Sequence, residues 1–472
     1  MHRTGLAAPV LMLALGVSMA CRRLPTAEPP HRDAPDTATR SAAGERRVFA
    51  HYMVCVPRAG GGATLEDYKA EIRAAQRRGI DGFALNCGGW TAREPHYKAR
   101  SLLLYEAARQ LDTGFLLFLS ADFASGLSLD EVADMVSSFA DHPNQFRWNG
   151  KPVLSTFAGE GADNAHGRQV IDWLNTHFPD GQGGRTVAFV PYFYPRPNIT
   201  ELPEDRHVQQ LFSTFPDLDG YFYFGAAGSG EQLAGCNERL AAQWLGAGKV
   251  FMASVTPFYR GLGGNYRVFE TEGYRGLVAE WESAIRSGAP WVEIVTWNDW
   301  GEASYIAPFG EPAATTLWNG HWGAMLSHEG FLDLSRYYIE WFKTGRAPAI
   351  PSDELFYAYR LHPKDVEGRA KPGDGKRGRP SGADALRDSV FVTARLTAPA
   401  RLTIHSGDRT EDFDLAAGVQ HAAVPFGLGA QRFVLTRNGQ VLIDKTGEHA
   451  VSRDGWSNFN AFAGIATAAH GH

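Results

Sequence analysis

Between Val48 and Lys343 the sequence alternates between two hydrophobic periods, and this limits the fold more than any other feature. Short apolar runs stand at Val48–Val54, Gly82–Asn86, Phe115–Ser120, Val153–Thr156, Ala188–Pro191, Gly220–Tyr223, Val250–Ser254 and Val292–Trp297. Amphipathic runs with a helical repeat fall at Leu65–Arg78, Tyr97–Leu111, Leu129–His142, Gly167–His177, Glu231–Gly246, Gly273–Ser287 and Leu332–Lys343. Strands that are apolar throughout need cover on both faces, so the pattern predicts an α/β fold on a parallel sheet. Eight such strands predict a (β/α)8 TIM-like barrel over residues 47–350. A doubly wound open sheet is the rival, but no Gly-rich phosphate loop follows the first strand.

Barrel chemistry gathers at the carboxyl ends of the strands. The residues expected there are His51, Asn86, Asp122, Glu160, Tyr192, Tyr194, Tyr223, Thr256, Tyr259, Asn298, Asp299 and Glu302. The stretch from Val295 to Ile306 is the most informative, reading as a strand that breaks into a loop. It carries Asp299 and Glu302 three residues apart, among Trp297, Trp300 and Tyr305. Paired carboxylates in a partly dry site suit hydrolysis of a glycosidic bond, one holding a proton and the other staying ionised. Trp and Tyr faces suit pyranose rings. The plain alternative is a polar turn, with Asp299 as a cap and Glu302 as a first-turn acid.

Other residues carry paired readings too. His51 contacts substrate or is a structural strand histidine. Asn86 binds a hydroxyl or caps a turn, and Asp122 contacts substrate or caps the next helix. Glu160 lines the bowl, as a reserve catalytic acid, or lies solvated. Trp297 is a stacking platform or a core plug. Tyr192, Asn298 and Tyr305 are expected as subsite residues. Asp81 precedes its strand, at the opposite end, and reads as structural. No ligand spacing suggests a metal, and no cofactor is expected.

Residues 1–21 read as an export signal: a short polar start, the apolar run Leu6–Met19, and small residues before Cys21. Cys21 is a candidate lipid-attachment site, although Ser18 stands where a lipoprotein box has an aliphatic residue. Membrane association is therefore expected only through that anchor, at the cell surface or outer membrane, with simple secretion as the alternative. Residues 22–46 read as a disordered tether and 351–387 as a connecting segment, with a Pro/Gly/charge-rich linker at 366–384. Residues 388–465 carry short strands, and Asn438-Gly439 is a two-residue hairpin turn, so a small β-sandwich is expected. Its role reads as bracing rather than glycan binding. A net charge of −6 without a basic face argues against nucleic acid. Cys55 and Cys87 each follow a strand and could be paired or free; Cys236 is left over. A monomer is expected.

Several ordered segments together resemble glycoside hydrolase family 71, the α-1,3-glucanases called mutanases. They are Val48–Val54, Gly79–Asn86, Gly150–Glu160, Thr296–Ile306, Leu332–Leu334 with Tyr337–Gly345, and Phe356–Arg360. The resemblance implies endo-hydrolysis of α-1,3-glucan with inversion, carried by Asp299 and Glu302, with Glu302 as general acid and Asp299 as general base. Cys55-Val56-Pro57-Arg58 departs from the family at the lip of the cleft, and Trp300 stands where Tyr is often seen. Two other functions fit the same residues: an endo-α-mannosidase-like or other α-glycan hydrolase, and a surface glycan-binding lipoprotein without chemistry. Turnover that disappears when either acid is neutralised separates a hydrolase from a binder.

Overall fold

The computed structural model describes residues 45–91, 94–308, 325–369 and 378–468. The export signal, Cys21, most of the tether and the basic centre of the 366–384 segment lie outside these residues. Among the described residues no helix is long and apolar enough to cross a membrane.

The first sheet contains eight parallel strands: β1 (Arg47–Met53), β2 (Gly82–Cys87), β3 (Leu116–Asp122), β4 (Lys151–Phe157), β5 (Ala188–Phe189), β6 (Gly220–Phe222), β7 (Val250–Val255) and β8 (Trp291–Ile294). Between and after them run α1 (Leu65–Gln76), α2 (His96–Leu111), α3 (Leu129–Phe139), α4 (Ala165–His177), α5 (Asp205–Thr214), α6 (Gly230–Gly246), α7 (Tyr274–Ser287) and α8 (Glu329–Thr344). Strand order is β5-β4-β3-β2-β1-β8-β7-β6, so β1 pairs with both β2 and β8 and the sheet curls. No ladder joins β5 to β6, although the Phe222 N–H donates to the Pro191 carbonyl at 3.0 Å. Capping boxes start α1 (Thr64 with Asp67), α3 (Ser128 with Glu131) and α6 (Ser229 with Gln232). Helix α5 escapes the periodic reading because its buried face is only His207, Val208 and Leu211.

The amino end of the curl is an apolar plug. Phe49 packs on Phe118 and Phe146 at 5.0 and 4.7 Å, and Phe146 packs on Trp291 at 4.9 Å. Gly82 is required there, since a Cβ would sit 2.2 Å from the Leu116 carbonyl oxygen and 2.9 Å from the Phe49 ring. Asp81 ties this end together, accepting from the Val48 N–H at 2.8 Å and pairing with Lys343 Nζ at 2.6 Å. Towards the carboxyl end the interior turns polar, with Ser120, Ser155, His51 and Glu293 all buried.

The remaining strands form two four-stranded antiparallel sheets. They are β9 (Glu354–Arg360), β10 (Ser389–Leu396), β11 (Ala400–Ser406), β12 (Arg409–Leu415), β13 (Gly418–Pro425), β14 (Gln431–Arg437), β15 (Gln440–Thr446) and β16 (Ala461–Thr467). Their orders are β13-β10-β9-β16 and β12-β11-β14-β15. One apolar cluster, including Leu355, Val392, Leu402, Ile404, Phe433 and Leu435, draws on both sheets. Strand β9 falls inside the 351–387 segment read as connecting, yet it lies between β10 and β16. Its sequence, ELFYAYR, has apolar and aromatic residues on both faces, as an interior strand requires. The described part of the 366–384 stretch also packs, with the Val268 N–H donating to the Ser381 carbonyl at 2.9 Å. Cys55, Cys87 and Cys236 are free thiols.

Candidate active site

The loop after β8 is closed by its own backbone. The Thr296 N–H donates to the Ser304 carbonyl at 2.9 Å, and the Ile306 and Ala307 N–H groups donate to the Trp297 carbonyl at 3.1 and 2.9 Å. Ala303 takes a φ of +53°, the left-handed turn that brings the chain back. The three aromatics of the loop are fully buried supports. Trp297 donates its indole N–H to Glu71 on α1 at 2.8 Å, and Trp300 donates to the Val56 carbonyl at 2.9 Å. The Tyr305 hydroxyl donates to the Leu326 carbonyl at 2.5 Å and accepts from Asn460 at 3.0 Å. With ring faces covered and polar atoms engaged, neither Trp297 nor Tyr305 is a surface for a sugar: Trp297 takes the core-plug side of its two readings, and Tyr305 departs from the subsite role expected of it. Asn298 is likewise internal: it accepts from the Met53 N–H at 2.7 Å and donates to the Met53 and Val56 carbonyls at 3.1 and 3.0 Å.

Between these anchors the loop presents the two acids, both partly exposed. The Asp299 N–H donates to Thr296 Oγ1 at 2.8 Å, and Asp299 Oδ1 accepts from the Glu302 N–H at 2.9 Å. Their surroundings differ. Burial raises the Asp299 carboxyl, but the Glu302 and Gly301 amides, His51 and Arg260 all favour its ionised form. Glu302 is pushed up to about 8, first by burial and then by the Asp299 charge. The Tyr259 hydroxyl donates to Glu302 Oε1 at 3.3 Å and accepts from Asn265 at 2.6 Å. Arg267 pairs with Glu201 at 2.5 Å, its guanidinium 5.7 Å from the Tyr259 ring centre. Glu302 therefore keeps its proton through neutral pH beside a second carboxyl whose amide and cationic neighbours oppose the rise that burial imposes, an arrangement able to give one proton and take another.

The structure also brings His51, Asn86 and Asp122 to this end of the curl; Asp122 is partly exposed, whereas His51 and Asn86 are buried and take the structural side of their two readings. Asp122 accepts from the Ala124 N–H at 3.0 Å, and its carboxyl is raised by burial while that amide, His51 and Asn86 oppose the rise. Glu160 and Tyr192 are not available either. Glu160 is buried, with Oε1 paired to Arg196 at 2.8 Å and Oε2 accepting from the Tyr194 N–H at 3.2 Å. Tyr192 is buried beneath Tyr194, with ring centres 4.9 Å apart. The half-buried rings are instead Phe157, Tyr194 and Phe224; Phe224 lies 5.0 Å from Phe157 and 5.1 Å from the His51 ring. Strand register could have pointed to Phe157, which is the partner of Asp122. Glu293, under His51, gave no signal of its own, being a single acid in an apolar strand.

The C-terminal sheets reach the loop through His328. Its Nδ1 lies 2.9 Å from the Tyr305 carbonyl and its Nε2 lies 2.9 Å from Asn460 Oδ1, with the ring stacked on Tyr305 at 4.3 Å. Burial pushes His328 down to about 4. A histidine depressed on folding gives stability that is complete above its unfolded value and is lost as pH falls towards the folded value. Between about pH 6.5 and pH 4 this group is expected to remove up to about 3 kcal/mol. Urea unfolding across that range checks the loss; His328→Gln should flatten it.

Residues 44–472 match the family model described as Glycosyl hydrolase family 71. Among curated proteins, a mutanase of Penicillium rubens is 31% identical, covering 91% of each chain. The glucan endo-1,3-alpha-glucosidase agn1 of Schizosaccharomyces pombe is 28% identical over 89% of this chain and 95% of its own. A solved structure, the GH99 endo-alpha-mannosidase from Bacteroides thetaiotaomicron, is 17% identical with a TM-score of 0.47, covering 64% of this chain and 99% of its own.

Proposed function

The chain belongs to glycosyl hydrolase family 71 and is a glycoside hydrolase, and on that premise we propose that it cleaves α-1,3-glucan internally with inversion. The observation that carries the roles is the Glu302 carboxyl, pushed up to about 8 by burial and by the Asp299 charge beside it. Glu302, holding a proton to about pH 8, gives it to the glycosidic oxygen as the C–O bond breaks. Asp299 takes a proton from the water that attacks the anomeric carbon from the other face. Asp122 contacts sugar hydroxyls, with Asn86 buried behind it, and Phe157, Tyr194 and Phe224 offer the half-buried faces on which a pyranose can lie. The substrate is supported by the names of the relatives, a mutanase and an endo-1,3-alpha-glucosidase.

We read the curled sheet as a (β/α)8 barrel, supported by sequential strand order and the Phe222–Pro191 hydrogen bond at the seam. The two antiparallel sheets read as a sandwich, supported by their shared apolar cluster. Its role is to brace the acid loop through Asn460. Residues 1–21 support export, with Cys21 as the candidate anchor.

Protein lacking residues 1–21, incubated with insoluble α-1,3-glucan and with α-1,4-glucan, α-1,6-glucan and α-mannan, should release reducing ends from the first alone. Release only from another polymer would discard the substrate. Tyr259→Phe tests the acid's surroundings. Loss of a donor that favours the carboxylate should move the alkaline limb of kcat/KM upward by roughly half a pH unit, with less than about a tenfold loss of rate.

A further inference from the structure

Under the acid loop lies a buried histidine–carboxyl pair that the chemistry above does not use. His51 Nδ1 is 2.5 Å from Glu293 Oε1, and the two side chains are 1% and 0% exposed. Among the described residues His51 is the sole hydrogen-bond partner of the Glu293 carboxyl, since Oε2 has none. A buried polar pair of this kind is an expensive way to fill a core: apolar residues of similar volume are often as stabilising or more so. The position gives it another use. The acid end of the curl gathers Asp122, Asp299 and Glu302; the buried Arg260 acts on Asp299, while Arg267 is already paired with Glu201. His51 is within electrostatic reach of both Asp122 and Asp299. The charged or titratable groups facing it are Glu293 from β8, Asp122 at the end of β3, and Asp299. Neighbouring β2 contributes Ala84 and Asn86, and the β6 end contributes the Phe222 and Phe224 rings at 6.5 and 5.1 Å.

We propose that His51 and Glu293 are a positioning pair for the hydrolysis: Glu293 fixes and charges the imidazole through Nδ1, and the imidazolium under the loop keeps Asp299 ionised so that it can act as the base. Neither residue touches substrate; both act through Asp299. This rests on the role given to Asp299 above. Aromatic rings close the sides of the imidazole, so its charge is poorly screened by water and is felt by the carboxylates above it.

The test is the pH profile of kcat/KM on the glucan that the wild-type protein hydrolyses. The acid limb reports the base, so withdrawing a positive charge beside Asp299 should raise that limb. His51→Gln and Glu293→Gln should each move it up by about one pH unit while leaving the alkaline limb of Glu302 in place. Lower activity or a lower Tm with an unmoved acid limb would overturn the proposal and assign the pair to stability. If His51→Gln does not fold, Glu293→Gln alone carries the comparison. Histidine ¹⁵N chemical shifts of the wild-type protein give a reading free of mutation and turnover. An imidazolium at His51 across the active pH range is expected, and a neutral ring there would overturn the proposal. The two readings fail separately. If Asp299→Asn is inactive while the pair variants leave the acid limb unmoved, only the pair is at fault; a wild-type protein inert on every glucan discards the acid–base reading itself.

Discussion

Glu302→Gln is expected to lower kcat on α-1,3-glucan by about 10²–10⁴-fold, and Asp299→Asn by a similar factor, with little change in Tm. Most of the loop's support comes from other residues, and Asp299→Asn keeps an acceptor for the Glu302 N–H, so the substitutions remove chemistry and leave packing intact. The two losses should differ in kind. A substrate with an activated leaving group needs no proton on its departing oxygen, so it should restore most of the rate to Glu302→Gln. It should restore little to Asp299→Asn, where the attacking water has lost its base. The wild-type profile should fall on its alkaline side near pH 8, because above that value Glu302 loses the proton it must donate. Steady-state kinetics with both substrate types, from pH 4 to 10, read all of these outcomes together.

The second large effect concerns stability. Glu71 is wholly buried on α1 and accepts from the Tyr52 hydroxyl at 3.0 Å and the Trp297 indole at 2.8 Å. The buried Arg58 guanidinium acts on the same carboxyl. Glu71→Ala would leave an indole, a phenol and a cation without this acceptor in a low-dielectric interior. The expected cost is about 3–5 kcal/mol, with a lowered urea midpoint. Glu71→Gln preserves one acceptor and should cost less. Glu66→Ala, one turn earlier on the exposed face, is the control and should stay within about 0.5 kcal/mol.

The switch between strand and helix periods carries most of the first sheet, because each apolar run needs cover on both faces. Alternation along β1 to β3 was enough to bring His51, Asn86 and Asp122 to the same end as Asp299 and Glu302. What stayed hidden depends on partners remote in sequence. Trp297, Trp300 and Tyr305 look like sugar platforms until their partners are known, and these lie 226, 244 and 155 residues away at Glu71, Val56 and Asn460. Glu293 reads as an isolated acid because His51 is 242 residues distant. Glu160 was placed near the right end of its strand, but Arg196, 36 residues on, occupies it. Strand β16 was illegible for another reason: AFAGIAT is rich in small residues and has no clear alternation, and its place is set by pairing with β9.

The most direct measurement is the anomeric configuration of the first product. Wild-type protein with a soluble α-1,3-linked glucan oligosaccharide would be followed by ¹H NMR before mutarotation sets in. The new reducing end should first appear as the β anomer, with the α anomer growing in afterwards. A new reducing end that first appears as the α anomer would contradict the proposed inversion, because the second carboxylate would then be acting on the sugar rather than on water.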